Sequence, residues 1–114
     1  MPFFDLKTNV KDVPAEFHKE TTDLIANLLG KPNSVVGVNV DAGARYTFGG
    51  TEDPAGVVNI YSAGSLAVDK NNSSAKVISE HLQKHFNIPS GRLLIFFHDM
   101  PRTHVGFNGK TLAS

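Results

Sequence analysis

The 114-residue sequence carries 11 basic and 11 acidic side chains, is 40% hydrophobic and 19% charged, and contains no cysteine. That length makes one domain with one core, expected to span residues 1–114. The balanced charge gives no sign of a polyelectrolyte or of a basic nucleic-acid face, and the missing cysteines exclude disulfides, zinc fingers, iron–sulfur clusters and thiol nucleophiles. Any chemistry must use nitrogen and oxygen groups.

Phe4, Leu6 and Thr8 alternate with Phe3, Asp5 and Lys7, which predicts a first strand. Asp12 or Val13 is expected to cap a helix with Pro14 at its first position, where the missing N–H costs nothing. Phe17, Leu24, Ile25, Leu28 and Leu29 share one helical face, and Gly30 followed by Pro32 stops the helix. Val36, Val38 and Val40 make a second strand, and Arg45 to Phe48 a short extra one. A strand follows around Val57 to Leu66, then a polar turn at Asp69 to Asn72, then a helix lined by Ala75, Ile78, Leu82 and Phe86. Pro89 ends that connection, Leu93 to Phe97 reads as a central strand, and the tail from His104 to Leu112 carries further short strands.

A weak internal repeat organises these elements. Lys31-Pro32-Asn33-Ser34-Val35-Val36-Gly37-Val38 matches Ile88-Pro89-Ser90-Gly91-Arg92-Leu93-Leu94-Ile95, a proline and small-residue turn before a strand in each half. Two β-α-β units, each with parallel strands, predict an α+β two-layer sandwich. Its strands carry apolar residues of both parities, as in Phe3 with Phe4 and Phe96 with Phe97, so the sheet face away from the helices needs cover. Burial against copies of the same chain predicts a homo-oligomer.

Other patterns have plain readings. His81 and His85 are four apart and share a helix face, but no third ligand accompanies them, and a solvated face is the expectation. The glycines match neither a phosphate loop nor a dinucleotide fingerprint, and aromatics are not interleaved with Lys and Arg, so no nucleic acid is expected. No apolar run approaches the ~18 residues of a membrane helix, and the N-terminus lacks the features of a secretory signal. The expected location is cytoplasmic, with no membrane partner.

Met1-Pro2-Phe3, Thr8-Asn9-Val10, Gly30-Lys31-Pro32, Phe48-Gly49-Gly50-Thr51, Ser62-Ala63-Gly64, His98-Asp99-Met100 and Val105-Gly106-Phe107-Asn108-Gly109 occur in order across the whole chain. Together they resemble the macrophage migration inhibitory factor family, which includes D-dopachrome tautomerase. The resemblance implies a β-α-β-β-α-β protomer assembled as a homotrimer, with sites between protomers.

It also implies that Pro2 is the catalytic group, a general base exposed when Met1 is removed. A free α-amino group has an ordinary pKa of ~8, which burial or a neighbouring cation lowers toward a useful base. The ring also fixes the direction of the nitrogen lone pair. By the same resemblance Lys31 binds the carboxylate or keto oxygen of the substrate, although a lysine complementing the helix dipole is the plainer reading. The segment Ser62-Ala63 would supply a main-chain N–H donor at Ala63, against a plain reading as a strand bulge. Tyr61 near that donor, Phe107, and Phe96 from a neighbouring protomer would wall an apolar pocket. The activity implied is keto–enol tautomerisation of an arylpyruvate-like 2-keto acid of the phenylpyruvate or dopachrome type, with no cofactor and no metal required.

Several positions depart from the vertebrate members. Leu94, Val35 and Phe96 stand where those have two tyrosines and an asparagine, Phe107 and Leu112 where they have tryptophan and phenylalanine, and Ala55 and Val58 replace a redox-active cysteine pair. The alternative implied is a cytokine-like signalling protein with a cell-surface receptor, released without a signal peptide.

Overall fold

In β1 (Phe3–Thr8) the alternation of the sequence becomes an alternation of environment: Phe4, Leu6 and Thr8 are buried, while Phe3 and Lys7 are exposed. The computed structural model describes all of residues 1–114. Thr8 is polar and inaccessible, and its hydroxyl donates to the Ala55 carbonyl at 2.7 Å, which removes most of the cost of burying it.

Helix α1 (Phe17–Leu29) starts later than the capping pattern predicts. Neither Asp12 nor Val13 caps it and Pro14 is not its first residue; instead the Pro14 carbonyl accepts the Phe17 N–H at 3.0 Å, closing a single turn before the helix. Burial decides the start, because Phe17 is the first side chain that reaches the core. The buried stripe Phe17, Thr21, Ile25 and Leu29 has its counterpart in α2 (Val68–Phe86), where Ser74, Ile78, Leu82 and Phe86 each lie 57 positions further on. Both helices end on a left-handed residue, Gly30 at φ 64° and Asn87 at φ 56°. Pro32 and Pro89 then run extended into single 3-10 turns, Asn33–Val35 and Ser90–Arg92, that lead into β2 (Gly37–Asp41) and β4 (Leu93–Asp99).

Two boundaries in the second half differ from the sequence reading. β3 (Gly56–Ser62) ends at Ser62 rather than Leu66, because Gly64 and Ser65 take φ of 81° and 67°, which no strand accommodates. Asp69 to Asn72 form the first turns of α2 and not a loop; the carboxylate of Asp69 there complements the positive end of the helix.

The sheet runs β2-β1-β3-β4, with β1 parallel to β2, β3 parallel to β4, and β1 antiparallel to β3 at the centre. β4 is therefore an edge strand and not the central one. Its apolar character on both faces has another cause: Leu93, Ile95 and Phe97 pack toward the helices, while Leu94 and Phe96 lie 42% and 48% exposed on the opposite face. Arg45 to Phe48 form no strand beyond a bridge between Phe48 and Thr51, and the tail makes a small hairpin of β5 (Gly106–Phe107) and β6 (Lys110–Thr111). The architecture is a small α+β fold with both helices on one face of a mixed sheet. No helix is long and apolar enough to cross a membrane.

Two polar residues clamp the long connection from β2 to β3. Asn9 donates to the carbonyls of Tyr46, Glu52 and Asp53 and accepts the Ala55 N–H, while Arg92 donates to the carbonyls of Pro54, Phe48, Thr51 and Asp53 and sits 5.6 Å over the Phe48 ring.

His81 and His85 do not form a solvated face. The His81 ring stacks on Phe17 at 5.2 Å and shares a 2.9 Å hydrogen bond with the Thr21 hydroxyl; His85 meets Phe17 edge-on at 5.4 Å with its side chain 4% exposed. Long-range packing of α2 on α1 covers them. His85 Nε2 lies 3.3 Å from Glu20 Oε1 yet is poorly aligned, so that nitrogen is buried without a hydrogen bond.

Candidate active site at the Pro2 end of the sheet

Pro2 is fully buried, and its carbonyl accepts the Gly37 N–H at 3.0 Å. That bond fixes the start of β1 against the end of the connection that begins at Lys31. Lys31 itself follows the left-handed Gly30, and its own N–H returns to the Ala26 carbonyl at 3.0 Å. The local sequence Gly-Lys-Pro thus turns the chain from helix to sheet and leaves the lysine half-buried at the junction.

On the other side of β1 the antiparallel register pairs Phe3 with Tyr61, which sets Ser62 and Ala63 beside Pro2 at the same end of the sheet. Ser62 is inaccessible; its hydroxyl donates to the Gly64 carbonyl at 2.8 Å and its carbonyl accepts the Met100 N–H at 2.8 Å. Ala63 is 5% exposed and its N–H donates to no acceptor within the chain. A nearly buried donor without a partner is uncommon and costly, so it marks a position where an incoming acceptor would be welcome.

The ring of Tyr61 stacks between Phe3, at 6.0 Å, and His98, at 4.3 Å, forming a row across β1, β3 and β4 on the open face. His98 Nε2 donates to Asn59 Oδ1 at 2.7 Å, and Asn39 donates to Asp5 at 2.8 Å on the same face.

Pro2, Lys31, Tyr61, Ser62 and Ala63 therefore share one end of the sheet. Phe96 does not: it pairs in register with Asn59, further along the open face. Phe107 lies in β5, 47% exposed, and makes no aromatic contact with the Phe3–Tyr61–His98 row. One residue escapes sequence reasoning. The Met1 amine is held below its ordinary value of 8.0, first by burial, then by the positive charges of Lys31 and Arg102. Arg102 carries no motif of its own; only its position just after the Ser62–Met100 hydrogen bond could have pointed to it.

Two concavities lie elsewhere. One of about 640 Å³ runs along the outer face of α2 past Asn72, Lys76 and Lys84, and another of about 320 Å³ lies by Glu20, Asp23 and His81. Both are open and lined mostly by polar residues, with none of the groups assembled around Pro2. No three His, Asp or Glu side chains cluster closely enough to hold a metal ion.

Comparison with known proteins gives concordant results. The family model described as Macrophage migration inhibitory factor (MIF) matches residues 1–113. A macrophage migration inhibitory factor homolog of Trichuris trichiura is 42% identical over 97% of this chain and 99% of its own length, and the MIF-like protein mif-2 of Caenorhabditis elegans is 38% identical over 99% and 96%. The solved structure of the macrophage migration inhibitory factor from Trichinella spiralis superposes with a TM-score of 0.94 at 34% identity, covering 96% of this chain and 98% of that one. With the family model matching residues 1–113 and relatives 38–42% identical along almost its entire length, the chain belongs to the macrophage migration inhibitory factor family.

Proposed function

We propose that the protein is a cofactor-independent keto–enol tautomerase acting on arylpyruvate-like 2-keto acids, with Pro2 as general base. The observation that carries this reading is the N-terminus itself: a partly buried amine lowered by burial and by the charges of Lys31 and Arg102, next to the fully buried Pro2 and an unpaired N–H at Ala63. While Met1 is attached the Pro2 nitrogen is an amide and has no basicity. Its removal transfers the terminal amine to Pro2, where burial is greater and favours the unprotonated base.

In the forward step the Pro2 nitrogen takes a proton from C3 of the keto acid. The C–H electron pair becomes the C2–C3 double bond, and the carbonyl electrons move to oxygen. Lys31 and the Ala63 N–H stabilise that oxygen as charge develops, and the Pro2 ammonium then delivers its proton to it. Tyr61 and Phe107 would flank the aryl group, and a trimer would bring Phe96 from the adjacent protomer. The exposed apolar residues Phe3, Leu94 and Phe96 of the open sheet face support such an assembly.

The test is an enol-to-keto assay on hydroxyphenylpyruvate after intact mass has established loss of Met1. Pro2→Gly should reduce kcat/KM by at least ~100-fold, the scale of a lost general base; full activity in that variant rejects the reading. A second reading, a signalling protein that engages a cell-surface receptor, draws on the names of the relatives and on the loss of polar pocket groups at Leu94 and Phe96. It predicts saturable binding to cells that survives Pro2→Gly. We assign the tautomerase action to the cytoplasm; the second reading requires release without a signal peptide.

A further inference from the structure

Two cations without counter-ions flank the Pro2 end of the sheet, and the proton-transfer step above places only Lys31 on the substrate. Arg102 opens the 3-10 turn Arg102–His104 just after β4. The Met100 N–H bonded to the Ser62 carbonyl at 2.8 Å ties that stretch to the end of β3, next to the unpaired Ala63 N–H. From the opposite side, the Gly37 N–H bonded to the Pro2 carbonyl ties the stretch that starts at Lys31 to the start of β1.

Neither cation has a carboxylate within 4.0 Å; the ion pairs of the chain are Lys19–Asp23, Lys84–Glu20 and His85–Glu20. The charges of both reach the N-terminal amine. Arg102 spends one Nη2–H on the Leu112 carbonyl, which leaves most of its five donors free. Like charges converging on a partly buried end are unfavourable until an anion neutralises them, and a guanidinium presents a planar fork suited to a carboxylate.

We propose that Arg102 is a second anion-binding residue of the Pro2 site, so that the preferred substrate is an arylpyruvate-like 2-keto acid bearing a second negatively charged group. One carboxylate meets Lys31 and the other meets Arg102. The substrate assignment rests on the tautomerase reading; the anion site does not.

The test uses the full chain freed of Met1, as wild type, Arg102→Gln and Pro2→Gly. Glutamine keeps an N–H for the Leu112 carbonyl while removing the charge. Exchange of the C3 hydrogen for deuterium is followed by NMR on phenylpyruvate and on 4-carboxyphenylpyruvate, and binding of benzoate and terephthalate is measured by NMR shift titration. Arg102→Gln should lower kcat/KM for the dicarboxylate about 10- to 100-fold more than for phenylpyruvate, a ratio in which any change in the Pro2 base cancels and which matches a lost charged hydrogen bond. It should also abolish a preference of wild type for terephthalate over benzoate. Equal losses on both substrates, no loss on either, or equal binding of the two ligands by wild type overturns the proposal. If Pro2→Gly keeps full activity the tautomerase reading falls, and the ligand comparison alone decides Arg102.

Discussion

The imidazole of His98 stacks on the ring of Tyr61 with centroids 4.3 Å apart and planes 13° from parallel. Tyr61 in turn leans on Phe3, the residue after Pro2, so three strands are joined by one row of rings at the candidate site. An aromatic pair of this kind contributes about 0.5–1.5 kcal/mol beyond its area. His98→Ala should lower Tm by several degrees, and His98→Phe, which keeps the stack but loses the bond to Asn59, should recover part of it. Thermal unfolding of both variants checks this; an unchanged Tm in His98→Ala would count against the row.

Thr21 and His81 make the second relationship open to test. Burial of His81 lowers its pKa from 6.5 to about 4, helped by His85 and Lys84 and opposed by Glu20. The folded state therefore binds fewer protons than the unfolded one within that window, so stability is fully present above pH 6.5 and declines as pH falls toward 4. Because the ring is only half-buried, screening leaves an effect of about 1 kcal/mol. Urea midpoints at neutral and acidic pH should converge in His81→Gln relative to wild type; identical pH dependence in the two proteins would assign the acid sensitivity elsewhere.

Arg92 makes a firmer structural claim. Its guanidinium donates to the carbonyls of Pro54, Phe48, Thr51 and Asp53 at distances of 3.0 to 3.3 Å. Lysine cannot reproduce a planar fork, so Arg92→Lys should cost about 2 kcal/mol and expose the connection between β2 and β3 to proteolysis. Resistance of that segment to trypsin in the variant would contradict the clamp.

Gly30→Ala isolates a backbone effect. A methyl group there would meet nothing within 4 Å, yet φ is +64°, so only the left-handed conformation is penalised. A loss of about 1 kcal/mol is expected by urea unfolding; a neutral substitution would mean that the turn into Lys31 relaxes.

Local signals carried much of this architecture. The repeat around Pro32 and Pro89 is legible because a proline and a 3-10 turn are specified by adjacent residues, and the apolar members of the α1 and α2 stripes because period defines them, whereas buried Thr21 and Ser74 are not, being polar. What depends on distant partners is not. The start of α1 is set by where Phe17 finds the core, and the shelter of His81 and His85 exists only once α2 packs on α1. The edge position of β4 was hidden for a related reason, since an apolar residue on an uncovered face looks in sequence like one in a doubly covered strand. Of the candidate site, Pro2, Lys31, Tyr61, Ser62 and Ala63 are named by motif, whereas Arg102 becomes visible only through the bond between Met100 and Ser62.

The proposed tautomerase action turns on the basicity of one nitrogen. Titration of the Pro2 amine in the Met1-free protein by nitrogen NMR, alongside the pH dependence of kcat/KM for hydroxyphenylpyruvate, measures it most directly. The amine should titrate below the ordinary value of about 8, and the rate should fall on the acid side through the same pH. An amine that titrates at or above that value, or a rate indifferent to its titration, contradicts Pro2 as the base.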